Sequence, residues 1–238
     1  MRKRIAVLTG AGVSAESGLK TYRDNGGLWD NYDPMEVASI EGWYRNRKLV
    51  LDFYNSQRAK LAGARPNEAH RLIAALEDRF IVDVITQNVD NLHERAGSTH
   101  VVHLHGEVTK IRPENSCNDE DGFSEKYVVD CGYGTVNLGD KSPDGIQYRP
   151  HIVFFGEAVP KMERAIDLVS QADVMLIVGT SLQVYPAAGL YRYTSPDAPI
   201  YIIDPADVPL FDRRIKHIRK TASEGMKDFI AMMEGQKV

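Results

Sequence analysis

The residues best suited to chemistry lie just after short apolar runs. Gln87, Asn88 and Asp90 follow the run at residues 81–85, and a second run ends in HLHGE at residues 103–107. An imidazole with a pKa of about 6.5 removes a hydroxyl proton efficiently at neutral pH. We therefore predict that His105, at the strand end, is a general base. His103 lies within its apolar run and is expected to be a hydrogen-bonded core histidine.

The same residues have other interpretations. Asn88 or Asp90 is also suited to begin the helix that follows. Alternation along a strand puts the two histidines on one side, an arrangement that suits a metal. A zinc site would have to recruit both cysteines, Cys117 and Cys131, at a spacing that matches no familiar zinc motif. The prediction is that this chain binds no metal.

Three further run ends have a composition that suits nucleotide binding. The first run leads into GAGVSA at residues 10–15, where glycines would let the backbone approach a pyrophosphate at a helix N-terminus. A plain strand–helix connector has the same appearance. The run at residues 200–203 ends in Asp204, which can accept from two ribose hydroxyls or begin a turn with Pro205. The segment 178–181, VGTS, ends in hydroxyls or is an ordinary turn.

The elements that must position these residues are read from hydrophobic patterns. Apolar runs lie at residues 5–8, 81–85, 101–104, 152–155, 174–178 and 200–203. Most are continuously apolar, as in strands of a parallel sheet covered on both faces. Helical patterns lie at residues 67–79, 161–171 and 223–233. We predict an α/β fold with a Rossmann-like, doubly wound parallel sheet.

Two stretches interrupt this alternation and predict a smaller second domain. Residues 31–65 are aromatic and helical, and residues 109–149 are polar and rich in turns. Long irregular stretches within a compact protein are usually functional or form a subdomain. The predicted Rossmann-like domain comprises residues 1–30, 66–108 and 150–238, and the two insertions together form the small domain.

Composition excludes several classes of protein. The 238 residues carry 29 basic and 33 acidic side chains, a net charge of −4. We therefore expect no direct nucleic-acid or membrane partner, because such proteins usually carry a basic field. No apolar run reaches the length of a signal peptide or a membrane span. Two cysteines are too few for a disulfide scaffold, and the expected location is the cytoplasm.

Taken together, five segments resemble the sirtuin family of NAD-dependent protein deacylases, and the resemblance covers nearly the whole chain. They are GAGVSAESGLKTYRDNGGLW (10–29), TQNVDNLHERAGS (86–98), HLHGE (103–107), RPHIVFFGE (149–157) and VGTSLQVYPAA (178–188). The resemblance implies that NAD is consumed as a co-substrate. The acyl oxygen of an acyl-lysine attacks C1′ of the nicotinamide ribose and nicotinamide leaves. His105 then deprotonates a ribose hydroxyl, and the products are lysine and O-acyl-ADP-ribose.

The resemblance also assigns residues to sites. The catalytic residues would be His105, Asn88 and Asp90. The cofactor would contact Gly10, Ala11, Gly12, Glu16, Tyr22, Arg23, Trp29, Gln87, Asn88, Asp90, Gly179, Thr180, Ser181, Asp204 and Ala222. The acyl-lysine peptide would contact Ala38, Tyr54, Gln57, Phe155, Gly156 and Glu157, pairing as a β-strand with the segment after Phe155.

Two of the chain's departures from the family affect its metal and substrate sites. Sirtuins usually carry two Cys-x-x-Cys pairs that hold a structural zinc, whereas Cys117 and Cys131 each lack a partner three residues on. We predict a zinc-ribbon-like module without zinc ligands, held by packing of its aromatic residues. Members that prefer acidic acyl groups carry Tyr-x-x-Arg, and this chain has Tyr54 followed by Gln57. A neutral amide lacks the bidentate charge of Arg, so we expect a pocket without strong selectivity for acidic acyl groups.

Three functions agree with these features. We favour an NAD-dependent protein-lysine deacylase that removes acetyl or larger acyl groups. The first alternative is a mono-ADP-ribosyltransferase, in which a side chain attacks the same ribose carbon. The second is a non-catalytic module that binds NAD or ADP-ribose, which the presence of His105, Asn88 and Arg23 disfavours.

Overall fold

A six-stranded parallel sheet forms the centre of the protein. The computed structural model describes residues 2–21, 31–116, 118–119, 122–123, 127–208 and 212–235. The strands lie in the order β11-β10-β9-β1-β2-β3, and every pairing is parallel. Their bounds are β1 (Arg4–Thr9), β2 (Ile81–Thr86), β3 (Val101–His103), β9 (Val174–Val178), β10 (Ile200–Ile203) and β11 (Ile215–Ile218).

The strand order places a ligand crevice at the middle of the sheet. From β1 the chain proceeds to β2 and β3 on one side, and from β9 to β10 and β11 on the other. Thr9, the last residue of β1, is therefore in register with both Thr86 and Val178. In open α/β sheets, ligands bind beyond the carboxyl ends of the strands where the order reverses. Here that point lies between β1 and β9.

Helices cover both faces of the sheet, which explains the continuously apolar runs. One face packs against α4 (Glu68–Ala75) and α7 (Ala222–Gly235), with buried residues such as Ile73 and Phe229. The other face packs against α6 (Met162–Ser170) and the 3-10 helix Ala187–Tyr193. All five residues of β9 are buried. The three helices predicted from periodicity are confirmed.

The two insertions share a separate hydrophobic cluster. Helices α1 (Pro34–Val37), α2 (Ile40–Arg45) and α3 (Arg47–Gly63) pack there against β4 (Gly106–Pro113) and β8 (Tyr148–Ile152). A three-stranded sheet has the order β7-β4-β8, with β7 at Val129–Asp130, and a two-stranded pair joins β5 (Asn118–Asp119) to β6 (Gly122–Phe123). The helix α5 (Leu92–Ala96) lies between β2 and β3. The domain boundaries stay a prediction.

Two expectations about the sheets are wrong. The run at residues 152–155 is not a strand of the parallel sheet: β8 ends at Ile152 and pairs antiparallel with β4. Its apolar character comes from burial against the insertion helices, where Phe154 is 1% exposed. The edge strand β11 was missed because its sequence, IKHI, is half polar and only Ile218 is buried.

The expected aromatic packing of the 109–149 module is confirmed only in part. Tyr127 and Tyr133 are exposed, whereas Tyr148 packs against the hydrophobic cluster of the insertion helices. The module is also attached by the fully buried Arg58 of α3, which donates to Gly134 O (2.9 Å), Val108 O (3.0 Å) and the side chain of Asn55. No helix in the described part of the chain is both long and apolar enough to cross a membrane.

Candidate active site

A cavity of about 460 Å³ lies at the carboxyl edge of the sheet, beside the crevice between β1 and β9. It extends from the insertion helices to the loop after β10. The predicted site residues that line it are Gly10, Ala11, Gly12, Glu16, Ala38, Tyr54, Gln87, Asn88, His105, Phe155, Gly156, Glu157, Gly179, Thr180, Ser181, Asp204 and Ala222. These residues follow six strands, β1, β2, β3, β8, β9 and β10, or belong to the insertion helices and α7. The parallel topology brings together the ends of the five strands that lie in the main sheet.

The glycines of the first loop have a structural purpose besides the one expected, which stays a prediction. Gly10 N donates to Val178 O (3.1 Å) and Gly12 N donates to Gly179 O (2.9 Å), so these N–H groups bind the neighbouring loop. A Cβ on Gly12 would lie 2.7 Å from Gly179 Cα, and Gly179 itself has φ +63°. Glycine is required because the two backbones touch. This contact leaves the N–H of Ala11 as the group that the loop can offer to a phosphate.

Gln87 and Asn88 tie the loop after β2 to its neighbours. Gln87 Nε2 donates to Thr180 Oγ1 (3.0 Å), across the crevice. Asn88 Nδ2 donates to Gly10 O (3.1 Å) and to Ser14 Oγ (3.2 Å), and Asn88 is buried. Among the described residues, none hydrogen-bonds to the carboxamide oxygen of Asn88. Its orientation is thus fixed by two hydrogen bonds before any ligand arrives.

His105 has the geometry of a neutral base. Its Nδ1 lies 3.0 Å from the backbone oxygen of Gln87, which can only accept, so Nδ1 carries the proton. Nε2 then carries a lone pair, and among the described residues nothing hydrogen-bonds to it. Burial lowers the pKa of His105 below its usual value, despite the hydrogen bond to Gln87. The ring is neutral at physiological pH and available to accept a proton at the cavity wall.

Asp90 lies behind the cavity and does not line it. The carboxylate is buried and accepts from Ser14 Oγ (3.0 Å) and Leu92 N (3.0 Å). Burial raises the pKa of Asp90, while these hydrogen bonds act in the opposite direction. Its link to the cavity is therefore Ser14, which also accepts from Asn88. A direct contact between Asp90 and the cofactor stays a prediction.

A pair of buried histidines, His70 and His93, lies next to Ser14, and the sequence did not predict it. His70 Nε2 lies 3.5 Å from Ser14 Oγ, and the rings of His70 and His93 meet edge to face at 4.8 Å. Burial lowers the pKa of His70 to about 4. His93 Nε2 contacts Thr9 Oγ1 at 3.0 Å. These residues are far apart in sequence, and the only signal for them is the Asn67–His70 capping box that begins α4.

The far end of the cavity has acceptors suited to a nucleoside. Glu16 Oε1 accepts from Ser223 N (3.0 Å) at the first turn of α7. Burial raises the pKa of Glu16, but hydrogen bonds from Ser223 and Thr221 outweigh it and the net shift is downward. Asp204 Oδ1 accepts from Ala206 N (2.9 Å), so the turn interpretation is correct while the residue also lines the cavity.

The opposite end of the cavity is apolar, and most of its backbone already hydrogen-bonds within the protein. Phe155 N donates to Ala38 O (2.8 Å), and Phe155 O accepts from Ile40 N (3.0 Å). Glu157 N closes a turn onto Phe154 O, and the Glu157 carboxylate holds Arg149 through contacts of 2.7 and 2.9 Å. Of the three residues expected to pair with a peptide, Gly156 is the one whose backbone bonds with none of the described residues.

Several predicted residues are not brought to the cavity. Gln57 is half-buried beside the cavity but does not line it, and its Nε2 has no partner in the described structure. Tyr22, Arg23 and Trp29 lie outside the described residues. The lining residues that the sequence reasoning missed are Ala15, Thr21, Val89, Ile152, Val153, Phe154, Val159, Gln183, Val184, Tyr185, Pro186, Ile203, Pro205, Ala206 and Thr221. Most of these neighbour predicted residues, which is the signal that would have found them.

The donor set in the small module does not fit a tetrahedral zinc site. The Cys131 thiol donates to Thr109 O (3.2 Å), and burial raises its pKa, which opposes formation of a thiolate ligand. The i+3 position holds Gly134, and Cys117 lies outside the described residues. No group of three or more His, Cys, Asp or Glu suited to a metal occurs in the described ranges. That the protein binds no zinc stays a prediction.

Comparison with known proteins assigns the family. The model of the Sir2 family matches residues 10–186. The chain belongs to the Sir2 family. An NAD-dependent protein deacylase of Bacteroides thetaiotaomicron is 52% identical over 229 residues, which is 95% of this chain and 96% of the relative.

Solved Sir2-family structures agree with the fold of this member. A mutant Sir2 homologue in complex with ADP-ribose has a TM-score of 0.86 and 35% identity, over 100% of this chain and 95% of the other. A Sir2 homologue in complex with NAD has a TM-score of 0.83 and 35% identity, over 98% and 90% of the two chains. The α/β, Rossmann-like fold of this Sir2-family chain is therefore confirmed.

Proposed function

We propose that this protein is an NAD-dependent protein-lysine deacylase that transfers the acyl group of an acyl-lysine to ADP-ribose. The observation that carries the proposal is the position of His105. Its unprotonated Nε2 lies on the wall of a cavity with polar residues Gln87 and Asn88 on one side and the apolar residues Tyr54 and Phe154 on the other. A base at the junction of the two sides suits the transfer of an acyl group to a nucleotide.

The residues of the polar side fit NAD, and the relatives' names support its use. When bound, NAD supplies an electrophilic ribose carbon and nicotinamide as its leaving group. Asn88 and Gln87 would hold the ribose end, the Ala11 N–H and Ser181 the phosphates, and Asp204 the adenosine ribose. A carboxylate at this last position repels a 2′-phosphate, which favours NAD over NADP.

The apolar side fits the acyl-lysine. Gly156 has φ +91° and a backbone free of described partners, so it can pair with an extended peptide, while Arg149 and Glu157 hold the loop in place. Ala38 and Tyr54 would contact the acyl group. His105 would take the proton from the ribose hydroxyl through Nε2, because the Gln87 carbonyl keeps Nδ1 protonated. A protein substrate, rather than nucleic acid or a membrane, and a cytoplasmic location remain part of this proposal.

The test is mass spectrometry of acyl-lysine peptides incubated with NAD. We expect wild-type protein to release nicotinamide and form free lysine and O-acyl-ADP-ribose. His105→Ala should lose lysine formation by about 10²-fold or more, since general bases contribute about 10²–10⁴-fold. His100→Ala, which removes an exposed histidine at the opposite edge of the sheet, is the matched control and should retain activity.

Other outcomes select the alternatives. Transfer of ADP-ribose to a protein side chain, with acyl-lysine unchanged, would identify a mono-ADP-ribosyltransferase. NAD binding without nicotinamide release from any acyl peptide would identify a binding module and refute the deacylase proposal.

A further inference from the structure

A second histidine, His103, contacts the loop that follows β2 (residues 87–91). It ends β3, is 3% exposed, and does not line the cavity. Its Nδ1 lies 3.1 Å from the backbone oxygen of Asn88, and its Nε2 lies 2.7 Å from Oε1 of Glu94 on α5. Both ring nitrogens therefore face oxygens that accept hydrogen bonds.

This geometry determines the charge of the ring. A neutral imidazole has one N–H, so one of the two contacts would place a lone pair against an oxygen lone pair. An imidazolium donates to both, and the Glu94 carboxylate balances its charge. Burial lowers the pKa of His103, but Glu94, Glu107 and the Asn88 carbonyl outweigh it and the pKa is raised. His93, also nearby, stays neutral because burial holds its pKa well below the usual value.

The charged ring is coupled to three residues of the candidate site. The carbonyls of Gln87 and Asn88 are consecutive, and they accept from His105 and His103 respectively. The peptide between these carbonyls is thus held by both rings. The positive charge of His103 also acts to lower the pKa of the buried Asp90, against the effect of its burial.

We propose that Glu94 and His103 form a positioning pair, in which an imidazolium fixes the Gln87–Asn88 peptide and provides a positive charge that acts on the Asp90 carboxylate. Neither residue touches the cavity, so both act through the loop. The kinetic part of this inference rests on the proposed function, but the protonation state of His103 does not.

The first experiment measures that protonation state directly. The imidazole nitrogens of ¹⁵N-histidine-labelled full-length protein are recorded by NMR at neutral pH, and His103 is assigned from its absence in His103→Gln. We expect both His103 nitrogens to be protonated and His105 to be the neutral Nδ1–H form. In Glu94→Gln, His103 should become neutral. A neutral His103 in the wild type overturns the proposal, whatever reaction the protein catalyses.

The second experiment measures nicotinamide release with an acyl peptide. Glu94→Gln keeps the size and hydrogen-bonding ability of the side chain but removes the charge. We expect kcat to fall about tenfold or more while KM for the peptide stays within about twofold, because the variant removes the positive charge that acts on Asp90 and leaves the peptide-binding residues unchanged. Glu234→Gln, which removes an exposed carboxylate 3.2 Å from Arg79, is the matched control.

The outcomes separate the two proposals. An inactive wild type refutes the deacylase function and leaves the NMR result to decide the protonation state. An active wild type with unchanged kcat in Glu94→Gln overturns the positioning role. If His103→Gln unfolds, Glu94→Gln still decides, because its amide can donate to a neutral His103 and preserve the packing.

Discussion

Replacement of Arg58 by alanine is expected to release the 109–149 module from the rest of the protein. Arg58 is fully buried on α3, and burial lowers its pKa from the usual range without neutralising it. Its guanidinium donates to Gly134 O in the module and to Val108 O in β4. Its third acceptor, Asn55 Oδ1, also accepts from Val136 N (3.0 Å). One cation thus joins a helix, a strand and the module.

The expected loss follows from these contacts. A hydrogen bond from a charged donor contributes about 1.5–3 kcal/mol. Water entering the space left by Arg58→Ala would satisfy some of the carbonyls, so we expect a loss of about 3–4 kcal/mol rather than the full sum. Because domains are stable by about 5–15 kcal/mol, this is a large fraction of the total. Arg58→Lys keeps the charge but not the planar fork, and should lose about 1–2 kcal/mol.

Urea unfolding measures the loss, and hydrogen exchange locates it. Exchange should quicken in residues 127–148 of Arg58→Ala more than in β1 or β9. Lys60→Ala, on an exposed position of the same helix, is the control and should change stability by less than about 0.5 kcal/mol. A chelator should not alter wild-type stability, and metal analysis should find no stoichiometric zinc. A loss below about 1 kcal/mol in Arg58→Ala, or a chelator effect of similar size to its loss, would refute this reasoning.

Three further predictions concern the site. Gly179→Ala would place a Cβ 2.3 Å from Val13 N at a positive φ, so NAD binding should weaken and the melting temperature fall. Gly132→Ala, with positive φ but open space, should lower the melting temperature less and leave NAD binding unchanged. His70 has a pKa of about 4 in the folded protein, so it binds fewer protons than the unfolded chain below about pH 6.5. This pKa shift contributes about 3 kcal/mol to the free energy of unfolding above that pH, and the contribution is lost as the pH falls through 4. His70→Gln should therefore make the free energy of unfolding, measured with urea at several pH values, depend less on pH than in the wild type. Gln57→Arg should raise the ratio of desuccinylation to deacetylation about tenfold, and an unchanged ratio in the peptide assay would place the acyl pocket elsewhere.

Most of the parallel sheet could be predicted because burial on both faces leaves a simple pattern. The runs at residues 5–8 and 174–178 are continuously apolar and form its two central strands. The edge strand β11 could not be found this way, since one of its sides meets no partner strand and its residues are half polar. The run at 152–155 was misassigned because a loop buried against insertion helices is as apolar as a strand.

The candidate site was predictable in location but not in its internal bonding. Parallel strands bring their carboxyl ends to one edge, so residues after β1, β2, β9 and β10 had to meet. Which groups bond to which depends on contacts between distant residues. Gly10 and Gly12 direct their N–H groups to the β9 end rather than outward, and Ser14 intervenes between Asp90 and the cavity. Both results follow from how closely two loops approach, which spacing does not encode.

The two histidines of HLHGE illustrate this limit most clearly. Alternation predicts that residues two apart in a strand share a side, but β3 ends at His103, and Leu104 and His105 form a turn. The rings therefore meet different surroundings. His105 has one acceptor and a free nitrogen, which makes it a neutral base, while His103 has two acceptors, which makes it a cation. Identical side chains obtain different charges because one faces a carbonyl alone and the other faces a carbonyl and a carboxylate, so the assignment of acid–base roles requires the hydrogen-bond partners as well as the residue types.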